Sequence, residues 1–264
     1  PAFADGAVHI KTADDLVSLA QSCTLDTWSQ GVKVELDADI SLDGVDFTPI
    51  PSFGGDFDGN GHTISGLNIS GKHSRAGLFA EIQEGGSVSN LNVTGTVDIS
   101  GSSEAAGGIT GVNAGKISSY TFTGSVNVGA IAGQNMLVGS IRNCTATGAV
   151  YGSRMTGGIA GRNLGLISSC GNSVYVNTVN DDKAISIQDI SVDTSFDLAK
   201  FSNRDTVAST TDTGGIVGYS SGIIRSCHNE AVVGYRHVGY NVGGIAGRSC
   251  GFISGCRNSG TVYG

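Results

Sequence analysis

Proline is almost missing from this chain, at 3 of 264 residues, and charged residues make up only 14% of it. With 39% hydrophobic residues the chain is too apolar to stay disordered. Its 42 Gly follow no period of three, which excludes collagen. No stretch approaches the roughly 18–20 apolar residues of a membrane helix, so membrane insertion is not expected. Basic clusters are absent, which argues against nucleic acid as a partner. No Gly-Lys-Ser/Thr phosphate loop occurs, and no two of His9, His62, His73, His228 and His237 stand at i and i+4 as a zinc-protease helix requires. Helix formers are scarce after Ser22, where Gly, Ser, Asn, Thr, Val and Ile take over.

What charge there is lies unevenly. The net charge is −8, yet residues 1–100 hold 14 carboxylates against 4 bases, and residues 101–264 hold 9 against 11. Asp outnumbers Glu by 18 to 5, a bias toward turns and loops. Residues 105–180 contain no carboxylate at all.

The strongest signal is a repeat. AGLFAEI (Ala76–Ile82), GGITGVNAGKISSY (Gly107–Tyr120), GAIAGQN (Gly129–Asn135), GGIAGRNLGLISSC (Gly157–Cys170), GGIVGYSSGIIRSC (Gly214–Cys227) and GGIAGRSCGFISGC (Gly243–Cys256) align on Leu78, Ile109, Ile131, Ile159, Ile216 and Ile245. The anchors are 31, 22, 28, 57 and 29 residues apart. Short β-branched runs between small turn residues read as strands. Units this short bury an apolar side only by stacking, and parallel crossovers are right-handed in nearly all cases. The expected fold is all-β: a right-handed parallel β-helix. Propeller blades of about 40–50 residues are too long to fit. Repeated Gly is expected where corners need positive φ and where coils stack about 4.8 Å apart.

At the N-terminus, TADDLVSLAQSC (Thr12–Cys23) predicts an amphipathic capping helix, N-capped by Thr12, with Leu16, Val17, Leu19 and Ala20 on one face. Strands are expected at Val32–Leu36, Ile40–Leu42 and Phe57–Ile64. The whole of 1–264 reads as one β-helix domain: a cap at 1–30, coils at 31–177, a charged insertion at 178–212, and coils again at 213–264. Because the repeat grammar is still running at Gly264, further coils or another domain are expected to follow in a longer parent chain.

FDGNGHTISGLNI (Phe57–Ile69), AGLFAEI and the GGIxG units together resemble bacterial cell-surface proteins that carry GLUG-type repeats. Such regions occur in streptococcal-type immunoglobulin A proteases and in adhesin-like secreted proteins. The resemblance implies a β-helical fold and an extracellular location, secreted or attached to the cell wall. Protease members keep their chemistry in a separate zinc domain, which this chain lacks.

Many β-helices are polysaccharide lyases or hydrolases, which need opposed carboxylates or a calcium site beside a base. The carboxylate-free middle makes a central active site improbable, and no catalytic residue is assigned. Asp56 and Asp58, two apart on one strand face, are the best calcium candidate, with a polar turn through Asn60 and Gly61 as the simpler account. No other cofactor is expected. Cys144, Cys170, Cys227 and Cys256 share one repeat position, preceded by Tyr120, and should stack as an interior ladder of free thiols. Gln134, Arg162, Tyr219 and Arg248 follow one repeat Gly and, facing outward, would form a stripe for a glycan or an acidic partner. Leu166, Ile223 and Phe252 form a second aligned set, suited to packing under the insertion or to a protein interface. The reading is a non-catalytic scaffold and adhesin-like surface for host or environmental glycan or protein, monomeric or part of a longer chain. The alternatives are a carbohydrate-active β-helix and an accessory region of an immunoglobulin A protease-like metalloprotease.

Overall fold

The computed structural model describes residues 6–100, 105–178, 211–234 and 240–263. It is a parallel β-helix, with sheets of 14, 6 and 3 strands whose neighbours come from successive coils. The six-stranded sheet stacks Phe79–Ile82, Thr110–Asn113, Ala132–Asn135, Ala160–Asn163, Val217–Ser220 and Ala246–Ser249, each pairing in parallel with the next. The three-stranded sheet stacks Arg154–Gly157, Thr211–Gly214 and Tyr240–Gly243.

In-register stacking turns each inward position into a row. Val8, Val34, Phe57, Val88, Ile117, Ile141, Ile167, Ile224 and Ile253 occupy consecutive rungs. All but Ile253 are at most 2% exposed, and the anchor row Leu78, Ile109, Ile131, Ile159 and Ile216 is fully buried. Rows of mostly β-branched side chains about 4.8 Å apart fill the interior, which is why the repeat keeps Ile so strictly.

The long face bends where one residue takes the left-handed conformation. Asn90, Ser119, Asn143, Ser169 and Ser226 hold φ between 52° and 55°, and Gly255 holds 60° in the last coil. These corners depart from the expectation that repeat Gly supplies positive φ. Asn tolerates that region by bonding locally. The repeat Gly instead marks close approach: a Cβ on Gly108 would stand 2.3 Å from the Phe122 ring.

The cap helix runs Ala13–Ser22 and buries Leu16, Leu19 and Ala20, while Val17 is half-buried. Thr12 Oγ1 accepts from the Asp15 amide at 3.2 Å, and Asp15 Oδ2 accepts from the Thr12 amide at 3.0 Å, a reciprocal capping box. Ahead of the helix, Ala7–Ile10 pairs with Lys33–Leu36. The segment expected only to cap therefore also contributes the first rung. The strand expected over Phe57–Ile64 is two strands, Asp56–Asp58 and Thr63–Lys72, split by a turn in which Asn60 and Gly61 have φ of 50° and 79°. The insertion lies outside the described residues except Thr178, Thr211 and Asp212, and the coils resume at Thr211.

Candidate binding rows

The six-stranded face carries the expected outward stripe. Glu81, Val112, Gln134, Arg162, Tyr219 and Arg248 stand on consecutive rungs of one row. Arg248 is exposed, Gln134, Arg162 and Tyr219 are half-buried, and Val112 is buried. At one end Glu81 pairs with Arg75. At the other, the Arg248 guanidinium carbon sits 4.8 Å from the centre of the Tyr219 ring, and its Nη2 lies 3.0 Å from Asp212 Oδ2. Asp212 is 5% exposed and also accepts from Asn241 Nδ2 at 2.8 Å. A buried carboxylate with both oxygens engaged fixes the guanidinium over the ring, so the stack is preorganised. The Tyr219 hydroxyl lies 3.2 Å from Cys250 Sγ. That contact raises the tyrosine pKa, and Arg248 opposes it. In sequence Asp212 closes the charged insertion, and its rung position is held by Met155 and Asn241 in the neighbouring coils, so no recurring residue type marks it as the residue that orients Arg248.

Leu166, Ile223 and Phe252 also share a row, on the long face. Ile223 and Phe252 are open to solvent, at 45% and 64% exposed.

The cysteines occupy consecutive rungs behind Leu91 and Tyr120. All are free thiols, and Cys144, Cys170 and Cys227 are buried. Each thiol donates to the carbonyl two residues back: Cys144 to Arg142 at 3.1 Å, Cys170 to Ser168 at 3.3 Å, Cys227 to Arg225 at 3.3 Å and Cys256 to Ser254 at 3.4 Å. A small side chain with a weak donor thus occupies the carbonyl that the corner turns inward. A straight row gives no tetrahedral convergence for a metal.

Two polar ladders escaped the sequence reading. Asn113 Nδ2 donates to Asn135 Oδ1 and Asn135 Nδ2 to Asn163 Oδ1, both at 2.8 Å, and Asn163 Nδ2 donates to Ser220 Oγ at 3.1 Å. Asn172 Nδ2 donates to Asn229 Oδ1 and Asn229 Nδ2 to Asn258 Oδ1, both at 2.7 Å. Their signal was present in the repeat as the Asn of GVN, GQN and GRN, and as the Asn two residues after Cys170, Cys227 and Cys256.

Asp56 and Asp58 face the same side of one strand. Asp56 accepts from Ser87 Oγ, and Asp58 Oδ1 accepts from the Asn60 amide at 2.8 Å and from Asn90 Nδ2 at 3.1 Å. Asp58 thus closes the turn while Asp56 bonds to the next coil, and among the described residues neither joins a cluster of three metal-ligating groups. The cluster that does form is His9, Glu35 and Asp37, with ligand atoms within 4.8 Å of one another. Its charge is already balanced in part: His9 Nδ1 is 2.9 Å from Asp37 Oδ1 and Lys11 Nζ is 3.6 Å from Asp37 Oδ2. The His9 hydrogen bond, with Lys11 adding, holds the Asp37 carboxyl below the usual range.

Comparison with known proteins agrees with this geometry. The GLUG motif family matches residues 124–151. Halomucin from Haloquadratum walsbyi is 29% identical over 167 residues, which is 58% of this chain but only 2% of Halomucin's length. A Bacteroides ovatus crystal structure, of a protein assigned as an immunoglobulin A1 protease, superposes with a TM-score of 0.64 at 19% identity, covering 96% of this chain and 75% of that one. The chain thus carries GLUG-type repeats on a β-helix of that fold. Among its described residues no helix is long and apolar enough to cross a membrane.

Proposed function

We propose that this chain is a non-catalytic, rigid β-helical module of a secreted or surface-attached protein, and that its outward row through Gln134, Arg162, Tyr219 and Arg248 binds a glycan or a protein outside the cell. The observation that carries the reading is the Asp212–Arg248–Tyr219 stack. A guanidinium fixed over an aromatic ring, on an otherwise carboxylate-poor face, offers a flat platform and directed donors. Halomucin and the Bacteroides ovatus protein support the surface location.

The test incubates the chain with neutral and acidic polysaccharides, with and without calcium, and follows polymer length and co-elution by size-exclusion chromatography with light scattering. Polymer of unchanged length that carries protein with it, and releases it in Arg248→Ala and Tyr219→Ala, is the expected result. Shortened polymer overturns the non-catalytic reading and directs attention to Asp56 and Asp58. Absence of co-elution removes the glycan and leaves a protein ligand for the row.

A second reading rests on the fold likeness alone: an accessory region of a protease of the immunoglobulin A1 type. A parent gene encoding an H-E-x-x-H helix alongside this region would favour it.

A further inference from the structure

The corner between the six-stranded face and the long face holds an open groove of about 840 Å3, separate from the Tyr219–Arg248 row. Its floor is aliphatic. Leu137 and Val138 rise from the corner at 77% and 55% exposed, and Leu166, Ile223 and Phe252 follow on consecutive rungs. Contiguous large apolar side chains in contact with water mark an interaction site. The groove also has one charge sign. Lys116 and Arg142 line it, Arg225 stands on the Arg142 row two rungs on, and no carboxylate among the described residues lines it. None of these three bases forms an ion pair with a described residue.

We infer that the groove is a docking site for an amphipathic helix of a partner protein, one that carries carboxylates along an edge of its apolar face. Rungs repeat about every 4.8 Å and helix turns every 5.4 Å, so anchors at i, i+3/i+4 and i+7 keep step with successive rungs. Arg142 and Arg225, two rungs or about 9.6 Å apart, meet carboxylates placed two turns or about 10.8 Å apart. A glycan fits this groove poorly. Among the described residues the polar side chains lining it are Lys116, Ser140, Arg142 and Ser221, with no amide or carboxylate to pair sugar hydroxyls.

The test is a fluorescence-anisotropy titration of the full chain with a labelled helical peptide bearing Leu at i, i+3, i+4 and i+7 and Glu beside them. A matched peptide with Lys in place of Glu is the control. Saturable binding of the Glu peptide is expected, weaker by at least about tenfold for Phe252→Ser and Ile223→Ser. Charge reversal at Arg142→Glu with Arg225→Glu should weaken it similarly, as should raising salt from about 50 to about 500 mM. All four substitutions fall on exposed positions, and unchanged circular dichroism and melting establish that the variants fold. No saturable binding, or equal binding of the Lys peptide, overturns the proposal. So does self-association in sedimentation that the same variants abolish, because a second copy is then the occupant. Capture of polygalacturonate that these variants release overturns it in favour of a glycan.

Discussion

Gly158 approaches Asn172 so closely that a Cβ on the glycine would stand 2.2 Å from Asn172 Cγ. The same relation links Gly108 to Phe122, Gly215 to Asn229 and Gly244 to Asn258. In the one coil where the repeat has Ala130 in place of that Gly, the residue on the Phe122 row is Ala146. Glycine here is therefore a volume match across the coil. Gly108→Ala should cost about 1–3 kcal/mol by overpacking, and Phe122→Ala about 3–5 kcal/mol by leaving a cavity. The double variant should lose less than the two losses combined, because removing the ring relieves the nearest clash, while the Ala130 carbonyl 2.5 Å from the same Cβ remains. Urea unfolding of the four proteins checks this, and strict additivity would show that the contact does not set the residue choice.

The Asn113–Asn135–Asn163 ladder is buried, so each amide depends on its neighbours. Asn135 Nδ2 serves Asn163 Oδ1, and its Oδ1 accepts from Asn113. Asn135→Leu leaves Asn163 Oδ1 without its donor, at about 1–3 kcal/mol, and leaves Asn113 Nδ2 only the longer bond to the Ser140 carbonyl at 3.4 Å. The exposed threonine ladder is the contrast: Thr123 and Thr147 hydroxyls lie 2.9 Å apart at the surface, where water replaces a lost partner. Thr147→Val should shift stability by no more than about 0.5 kcal/mol. Thermal melting of both variants, with a large drop only for Asn135→Leu, is the expected result.

How much of this was legible depends on what the repeat aligns. The Ile anchors and the cysteine ladder could be read because one residue type recurs at one phase, and the outward stripe because its variable residues all follow one repeat Gly; stacking turns phase into contact. The first rung at Ala7–Ile10 was not legible, since AVHI is four residues long and precedes a helix. Gly is the residue expected at positive-φ corners, yet Asn and Ser hold five of those on the long face, because the repeat Gly is needed elsewhere for close approach. The platform at Tyr219 was half visible. Its row was in the sequence, but Asp212, which orients Arg248, takes a rung position that Met155 and Asn241 hold in the neighbouring coils, so no recurring residue type points to it.

Tyr120 precedes the thiol ladder with a larger side chain whose hydroxyl is buried without a hydrogen-bond partner among the described residues. Burial pushes its pKa well above the ordinary value. An unpaired buried hydroxyl carries a desolvation penalty, so Tyr120→Phe should keep or raise stability, by up to about 1 kcal/mol. A lower melting temperature for Tyr120→Phe would mean that the hydroxyl has a partner.

Thiol chemistry separates the six cysteines. Cys250 is exposed, Cys256 intermediate and the other four buried. Iodoacetamide followed by mass spectrometry should therefore mark Cys250 first, Cys256 slowly, and the rest only on unfolding. The pH dependence has a definite sign. Burial raises Cys23 to about 11. The thiol contact with Cys144 raises Cys170, the contact with Cys170 raises Cys227, and burial adds to both. These groups hold their protons more tightly folded than unfolded. Their contribution is thus complete below the unfolded thiol value of about 8.5 and declines as pH climbs from there toward the raised folded values. Melting temperature should accordingly fall between about pH 8.5 and about pH 11, and the fall should be shallower in Cys170→Ala, which removes one of the linked protons. An unchanged slope in that variant would assign the alkaline loss to other groups, Tyr120 foremost.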